Sequence, residues 1–348
     1  MRRLDKEPVA PWKILIAITA FQALTIVQLI LGMGTEITAS DLVSIVVLSV
    51  VMWAYVMAMG AMGSRGFEME MIAFFLSTIN LAVTASSDPG SCMKEFIALM
   101  IGLALLIFMV FYMRDLGRTK KIKNTLIVLS VILLLINLIF GTAKYGATNW
   151  IKVGGMSLQP SEIVKLAFIL IGAGALEELY DKKNTLIYAV FSLFCLGCLA
   201  MMSDFGTALI FFVAFLVIAY MRSGSVGTIG LACTSLGFAG VIALKIAPHA
   251  VRRFASWRHI WEVPLDAGYQ QTRALMCMAS GGLLGIGVNQ GYMENIFAAD
   301  SDVVVATICE EWGLIIFVLM VLSIVALGLF AVRSASVGRS SFYVIGSC

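Results

Sequence analysis

Charge is what this chain has least of. Only 13% of its 348 residues are Asp, Glu, Lys or Arg, where a soluble domain carries about 25%. The shortage excludes an ordinary soluble fold, and the net charge of +3 gives no ground for a nucleic-acid partner. No cleavable signal is evident. Met1 to Pro11 is a short charged stretch, and the apolar run after it has full span length, which predicts retention. Internal repeats and low-complexity tracts are missing. The seven cysteines do not form a ligand or disulfide pattern. Cys195 and Cys198 are spaced C-x-x-C, but they sit within an apolar run with no second pair, so they read as small core residues.

What is present is hydrophobic length. The chain is 60% hydrophobic, with a mean hydropathy of +0.97. It reads as an all-α polytopic integral membrane protein, because only helices or closed barrels satisfy their backbone in lipid. A span needs about 20 apolar residues, and that rule predicts about ten. They run Trp12–Met33, Asp41–Gly63, Met69–Ser86, Lys94–Met113, Asn124–Gly141, Ser161–Leu176, Thr185–Met201, Gly206–Met221, Val226–Ala247 and Val303–Val332. The last is longer than needed. A long outer loop, 248–302, precedes it.

Lys and Arg set the orientation. With the N-terminus inside, the inner segments hold Arg2, Arg3, Lys6, Arg65, Arg114, Arg118, Lys120, Lys121, Lys123, Lys182, Lys183, Arg222, Arg333 and Arg339. The short outer loops hold only Lys94, Lys144 and Lys152. This predicts a cytoplasmic N-terminus and places Lys144–Gly155 and Pro248–Asp302 outside.

Ionisable groups at the membrane edge are costly, so each is a functional candidate. Four clusters qualify. Trp150, Lys152, Gln159, Glu162 and Lys165 gather where Pro160 and Ser161 open a span. Glu162 and Lys165 share a helix face, and a capped helix with a local ion pair is the plain alternative. Asp204 lies between two tightly joined spans, where it either caps the next helix or faces the outer cavity. The outer segment carries Arg252, Arg253, Arg258, His259 and Arg273 with Trp257 and Trp261, which suits headgroup anchoring or bidentate contact with phosphate. Ser280–Gly287 holds four glycines, which permits a close backbone approach or a sharp re-entrant turn. Finally Asp300, Asp302, Glu310 and Glu311 cluster at the mouth of the last span. An N-cap role would explain either aspartate but not the deeper glutamates.

At these residues the chain resembles the SEDS proteins (RodA, FtsW and SpoVE type). G-A-T-N-W-I from Gly146 and Q-P-S-E-I-V-K from Gln159 are similar to that family's G-A-x-x-W-I and Q-P-S-E-x-x-K. D-F-G-T-A from Asp204 is similar to D-L-G-T-A. G-Y-Q from Gly268, S-G-G-L from Ser280, D-S-D from Asp300 and E-E-W-G from Glu310 follow in the family's order. The resemblance covers roughly Gly141 to Val332.

That resemblance implies a peptidoglycan glycosyltransferase of the bacterial plasma membrane, with its active site on the outer face and lipid II as substrate. It implies a class B penicillin-binding protein as partner. Asp302 would be the catalytic base. Trp150, Lys152, Glu162, Lys165, Asp204, Arg252, Arg253, Arg258, Gln270 and Arg273 are the candidate substrate contacts. A divalent cation, Mg or Mn, could help hold the leaving diphosphate. On this reading residues 1–140 are N-terminal spans, two more than the family usually has, and 141–348 a SEDS-like core lacking its last spans. Asp300 stands where relatives carry histidine. A flippase or transporter of lipid-linked precursor, or a non-catalytic scaffold of the same fold, are the competing readings. A transporter should carry mid-membrane ionisable groups and often a repeat, and here the ionisable groups crowd the outer edge.

Overall fold

The computed structural model describes most of residues 11–337. Outside the described residues are 1–10, 64–65, 114–115, 145–146, 154–155, 178–181, 224, 228–229, 231–232, 236, 238–239, 241–257, 267, 297–298, 300–301 and 338–348. The chain is overwhelmingly helical. Helices α1 (Pro11–Met33), α2 (Ala39–Ala61), α3 (Glu68–Ser87), α4 (Cys92–Met113) and α5 (Leu116–Phe140) follow one another. A small sheet of β1 (Thr142–Lys144), β2 (Ala147–Val153) and β3 (Met156–Leu158) interrupts them. Then come α6 (Pro160–Glu177), α7 (Lys182–Met201) and α8 (Phe205–Ser223). Further along the chain lie α9 (Tyr269–Ser280), a 3-10 turn at Met293–Asn295, α10 (Val304–Thr307), a π turn (Ile308–Trp312) and α11 (Gly313–Val337).

Among the described residues six helical stretches are long and apolar enough to cross a membrane: Pro11–Met33, Ala39–Ala61, Glu68–Ser87, Cys92–Tyr112, Ile122–Phe140 and Val304–Ala335. The protein is therefore a multi-pass membrane protein. Two expected spans are apolar helices of shorter length, Leu186–Met201 and Phe205–Met221. The expected span Val226–Ala247 falls largely outside the described residues. Two departures from the sequence reading matter. The chain is not purely helical, since the strands form a three-stranded antiparallel sheet in the order β1-β2-β3. The last stretch is also broken: a π turn precedes Gly313, whose φ of +85° no side-chain-bearing residue adopts readily.

Packing divides the chain into two compact units, residues 1–104 with 247–330, and residues 105–246 with 331–348. In the first, α1 buries Leu15, Ile18, Gln22, Thr25, Leu29 and Met33, spaced three and four apart as one helix face requires. α2 and α3 pack against α1 and bury Ile45, Leu48, Met52 and Met71, and Phe21 packs on Phe75 with ring centres 5.1 Å apart. Lipid supplies no hydrophobic drive between helices, so polar contacts help fix their register. Gln22 donates to Thr78 Oγ1 at 3.0 Å and accepts from Ser49, and Trp53 Nε1 donates to Thr19 Oγ1 at 2.9 Å. Asp41, fully buried, forms a capping box with Thr38 and accepts the N–H of Gly90 in the turn between α3 and α4.

The second unit centres on Phe168 of α6. Its ring lies 5.3 Å from Tyr188, 5.9 Å from Phe191 and 4.8 Å from Phe211. Cys195 and Cys198 are buried free thiols in this same cluster with Leu134 and Leu199, the small-residue role expected of them.

Candidate functional site

In the first unit, the segment from α9 to α11 is built around two glutamates. Three glycines let the segment after α9 press onto the backbone of the π turn. A Cβ on Gly281 would lie 1.9 Å from the Cys309 carbonyl oxygen, and one on Gly285 2.2 Å from that of Glu311. A Cβ on Gly313 would meet the backbone of 283–285 at about the same range. The π turn frees carbonyls from the helical ladder, and the loop takes them up. Ile286 N–H donates to Glu310 O at 2.9 Å, and Gly287 N–H to Glu311 O at 3.2 Å. In return Leu314 and Ile315 donate to the carbonyls of Gly282 and Leu283. Buried backbone polar groups are thus satisfied without a regular helix.

The two side chains finish the arrangement. Glu310 is 2% exposed. Its Oε1 accepts from Tyr292 N–H at 3.0 Å and its Oε2 from Met293 N–H at 2.9 Å, with Ser280 Oγ at 3.5 Å. Glu311, also buried, accepts from Asn289 N–H at 3.2 Å. A buried carboxylate is costly unless hydrogen-bonded, and these are held by main-chain donors. Burial and then the adjacent Glu310 carboxylate push the Cys277 thiol up to about 12, so it stays protonated. The end of α1 supports the same loop: Gln28 Nε2 reaches Glu311 O at 3.5 Å, Glu36 accepts from Asn289 Nδ2 at 2.8 Å, and Gly32 meets Val288 backbone to backbone.

Asp302 stands at the end of this construction. It is exposed, directly before Val303, and α10 starts without a side-chain cap. Its carboxylate is not spent as the N-cap of α10. Ahead of it, Met293, Ile296 and Ala299 are buried with Ala274, Cys277 and Ala306, and Thr307 Oγ1 contacts Ala299 O at 3.5 Å. On α9, Gln270 and Arg273 are half-buried. The Arg273 guanidinium lies 5.4 Å from the centre of the Tyr269 ring, a cation–π contact that holds it in place. Arg258 is exposed with φ +68°. Arg252, Arg253 and Asp300 lie outside the described residues.

The second unit holds the other candidates. Asp204 is 9% exposed and caps α8, its Oδ1 accepting from Thr207 N–H at 3.2 Å. Its Oδ2 accepts from Asn149 Nδ2 at 2.6 Å and Gln159 Nε2 at 3.2 Å. One carboxylate thereby ties β2, the start of α6 and the start of α8 together. Asn137 of α5 extends the tie, donating to Asn149 O at 3.3 Å. Asp204→Ala removes a cap, strands the buried Asn149 amide and releases the half-buried Gln159, at about 1 kcal/mol for the cap and about 1–3 kcal/mol for the orphaned Asn149. Thermal unfolding of the detergent-solubilised protein should fall by several degrees for Asp204→Ala and by less for Asp204→Asn, which keeps the cap acceptor. Equal melting of all three would refute the tie.

Glu162 and Lys165 form an ion pair at 2.9 Å, three residues apart and partly exposed. Trp150 and Lys152 lie two apart on β2, hence on one face of the sheet, with Trp150 half-buried and Lys152 exposed. Asn149, Asn137, Asn289 and Glu36 were not singled out in the sequence, because isolated amides and an exposed glutamate give no pattern there. G-G at 154–155, a hairpin pair between two apolar runs, was the available signal for β2 and β3.

The model of the FTSW_RODA_SPOVE family, described as cell cycle protein, matches residues 67–346. The chain belongs to this family. Among its relatives, a probable peptidoglycan glycosyltransferase FtsW of Bacillus subtilis (strain 168) is 28% identical over 310 residues, covering 81% of this chain and 74% of that protein. The protein of the same name from Allochromatium vinosum is 30% identical over 270 residues, covering 75% and 67%. The match to that of Escherichia coli O157:H7, 28% identical over 233 residues, covers 65% of this chain; the chain spans about half, 55%, of that relative's length. The fold is also that of solved structures. A chain from a peptidoglycan synthase complex, studied for its coordination of polymerization and crosslinking, gives a TM-score of 0.64 at 21% identity, covering 82% of both chains. Thermus thermophilus rod shape determining protein RodA gives 0.56 at 19% identity, covering 82% and 79%.

Proposed function

We propose that this family member polymerises peptidoglycan glycan strands from lipid II, with Asp302 as general base. The observation that carries the reading is the state of Asp302 itself. It is an exposed carboxylate, outside the helical cap, next to Val303, which packs against the buried Met293, Ile296, Ala299 and Ala306. A base must reach the proton it removes, and a fixed support keeps it there. Asp302 takes the proton from the 4-hydroxyl of the acceptor sugar. The freed oxygen attacks the anomeric carbon of the lipid-linked donor, and undecaprenyl diphosphate leaves. The relatives named peptidoglycan glycosyltransferase support this chemistry.

In the first unit Arg258 and Arg273, with Arg252 and Arg253, are the proposed cations for the leaving diphosphate, and Gln270 a neutral contact. In the second unit Lys152 and Lys165 supply charge, Trp150 an apolar platform, and Glu162 orients Lys165 through their ion pair. Asp204 acts on substrate through the β2 residues it fixes. A divalent cation, Mg or Mn, is proposed to share with these cations the charge of the leaving diphosphate. We place the N-terminus in the cytoplasm and Asp302 on the outer face of a bacterial plasma membrane, with about ten spans and a long outer segment before the last. A class B penicillin-binding protein is the proposed partner, in keeping with the synthase complex whose chain shares this fold.

The experiment is polymerisation of labelled lipid II by the purified full chain, alone and with the transpeptidase. Glycan polymer is the expected product. Movement of labelled lipid across vesicles without polymer would favour a transporter, and neither activity a scaffold; both overturn the proposal.

A further inference from the structure

We infer that Glu310 is the positioning residue for Asp302, an inference that rests on the reading of Asp302 as base. Glu310 is buried, and both its oxygens are occupied by consecutive main-chain donors, Tyr292 N–H at 3.0 Å and Met293 N–H at 2.9 Å. The approach is possible only because residue 291 is glycine: a Cβ there would lie 2.5 Å from Glu310 Oε2. Met293 opens a 3-10 turn, Met293, Ile296 and Ala299 are buried, and Val303, next to the exposed Asp302, packs against the same cluster. Among the described residues Thr307 Oγ1 also reaches back from beyond Asp302, to Ala299 O at 3.5 Å, a long contact. Glu310, with two main-chain bonds at 3.0 and 2.9 Å, therefore holds the residues ahead of the exposed carboxylate more closely than Thr307 does. It has no role in proton transfer, because its oxygens face amide donors rather than the surface.

Glu310→Gln tests this with little change of shape. It replaces one acceptor oxygen by an NH2 that confronts an N–H donor. In the full chain, hydrogen exchange of the peptide bearing Tyr292 and Met293 should quicken about tenfold. The kcat for lipid II polymerisation should fall by about tenfold or more, with KM within about twofold and the midpoint of the acid limb of the pH–rate profile unchanged. Glu310→Asp, one methylene shorter, should lie between. Wild-type kcat in Glu310→Gln, or unchanged exchange, overturns the inference. Loss of the acid limb in Glu310→Gln also overturns it, since Glu310 would then be moving the proton itself. An active Asp302→Ala protein removes the reading beneath the inference, and the exchange data, which need no turnover, tell that failure from the others.

Discussion

The expected result for Asp302→Ala is a folded, inserted protein that no longer polymerises lipid II. Both halves follow from position. Asp302 is exposed and lies outside the cap of α10, so truncating it removes no buried contact and no helix terminus. Surface changes of that kind alter stability by about 0.5 kcal/mol or less. Removing a general base costs about 10²- to 10⁴-fold in rate, or about 3–5 kcal/mol of barrier, enough to erase polymer on a gel. The measurement pairs melting temperature and membrane yield with the polymerisation assay. A mutant that still makes polymer at the parental rate would remove Asp302 from the mechanism.

The second large effect is structural. Gly281→Ala should prevent stable folding of the α9–α11 segment of the first unit. Its Cβ would sit 1.9 Å from the Cys309 carbonyl oxygen and 2.7 Å from the carbonyl carbon and from Glu310 Cα. All three are backbone atoms of the π turn, so no side chain can swing aside. Overpacking costs about 1–3 kcal/mol where side chains can adjust, and here the main chain itself must move. Gly282→Ala is the internal control. A Cβ there meets nothing within 4 Å, and only its φ of +58° resists substitution, a cost of about 1–2 kcal/mol. Melting curves should therefore separate two adjacent glycines sharply. If Gly281→Ala melts like Gly282→Ala, the loop does not press on the π turn.

Much of this was readable from hydropathy. Runs of apolar residues located α1 to α4 and the apolar stretches Ile122–Phe140 and Val304–Ala335 to within a few residues, because a lipid-facing helix must be apolar along its whole length. The family motifs pointed to the segments that carry Asp204, Glu162, Asp302 and Glu310. What hydropathy could not supply is where a helix breaks inside an apolar run. Val303 to Val332 is continuous as a sequence, yet Gly313 with positive φ and the π turn before it interrupt the helix. The cause is the Gly-rich segment lying against it, a contact between residues about thirty positions apart. For the same reason the use of Glu310 and Glu311 was illegible. Two neighbouring carboxylates read as a charged pair until the main-chain donors at 289, 292 and 293 are placed on them. Asp204 was half legible: its cap on α8 follows from position, its bonds to Asn149 and Gln159 do not.

The support that α1 gives the glycine loop has a consequence for what can be cut away. The residues that match the family begin at 67, whereas Gln28, Gly32 and Glu36 touch the loop from before that boundary. Every recognisable motif would survive in a chain trimmed to the matched region, yet one wall of the Glu311–Asn289 turn would be gone. The smallest autonomous unit of this protein is thus larger than its recognisable part. Domain boundaries drawn from family matches would discard a component of the site they were meant to preserve.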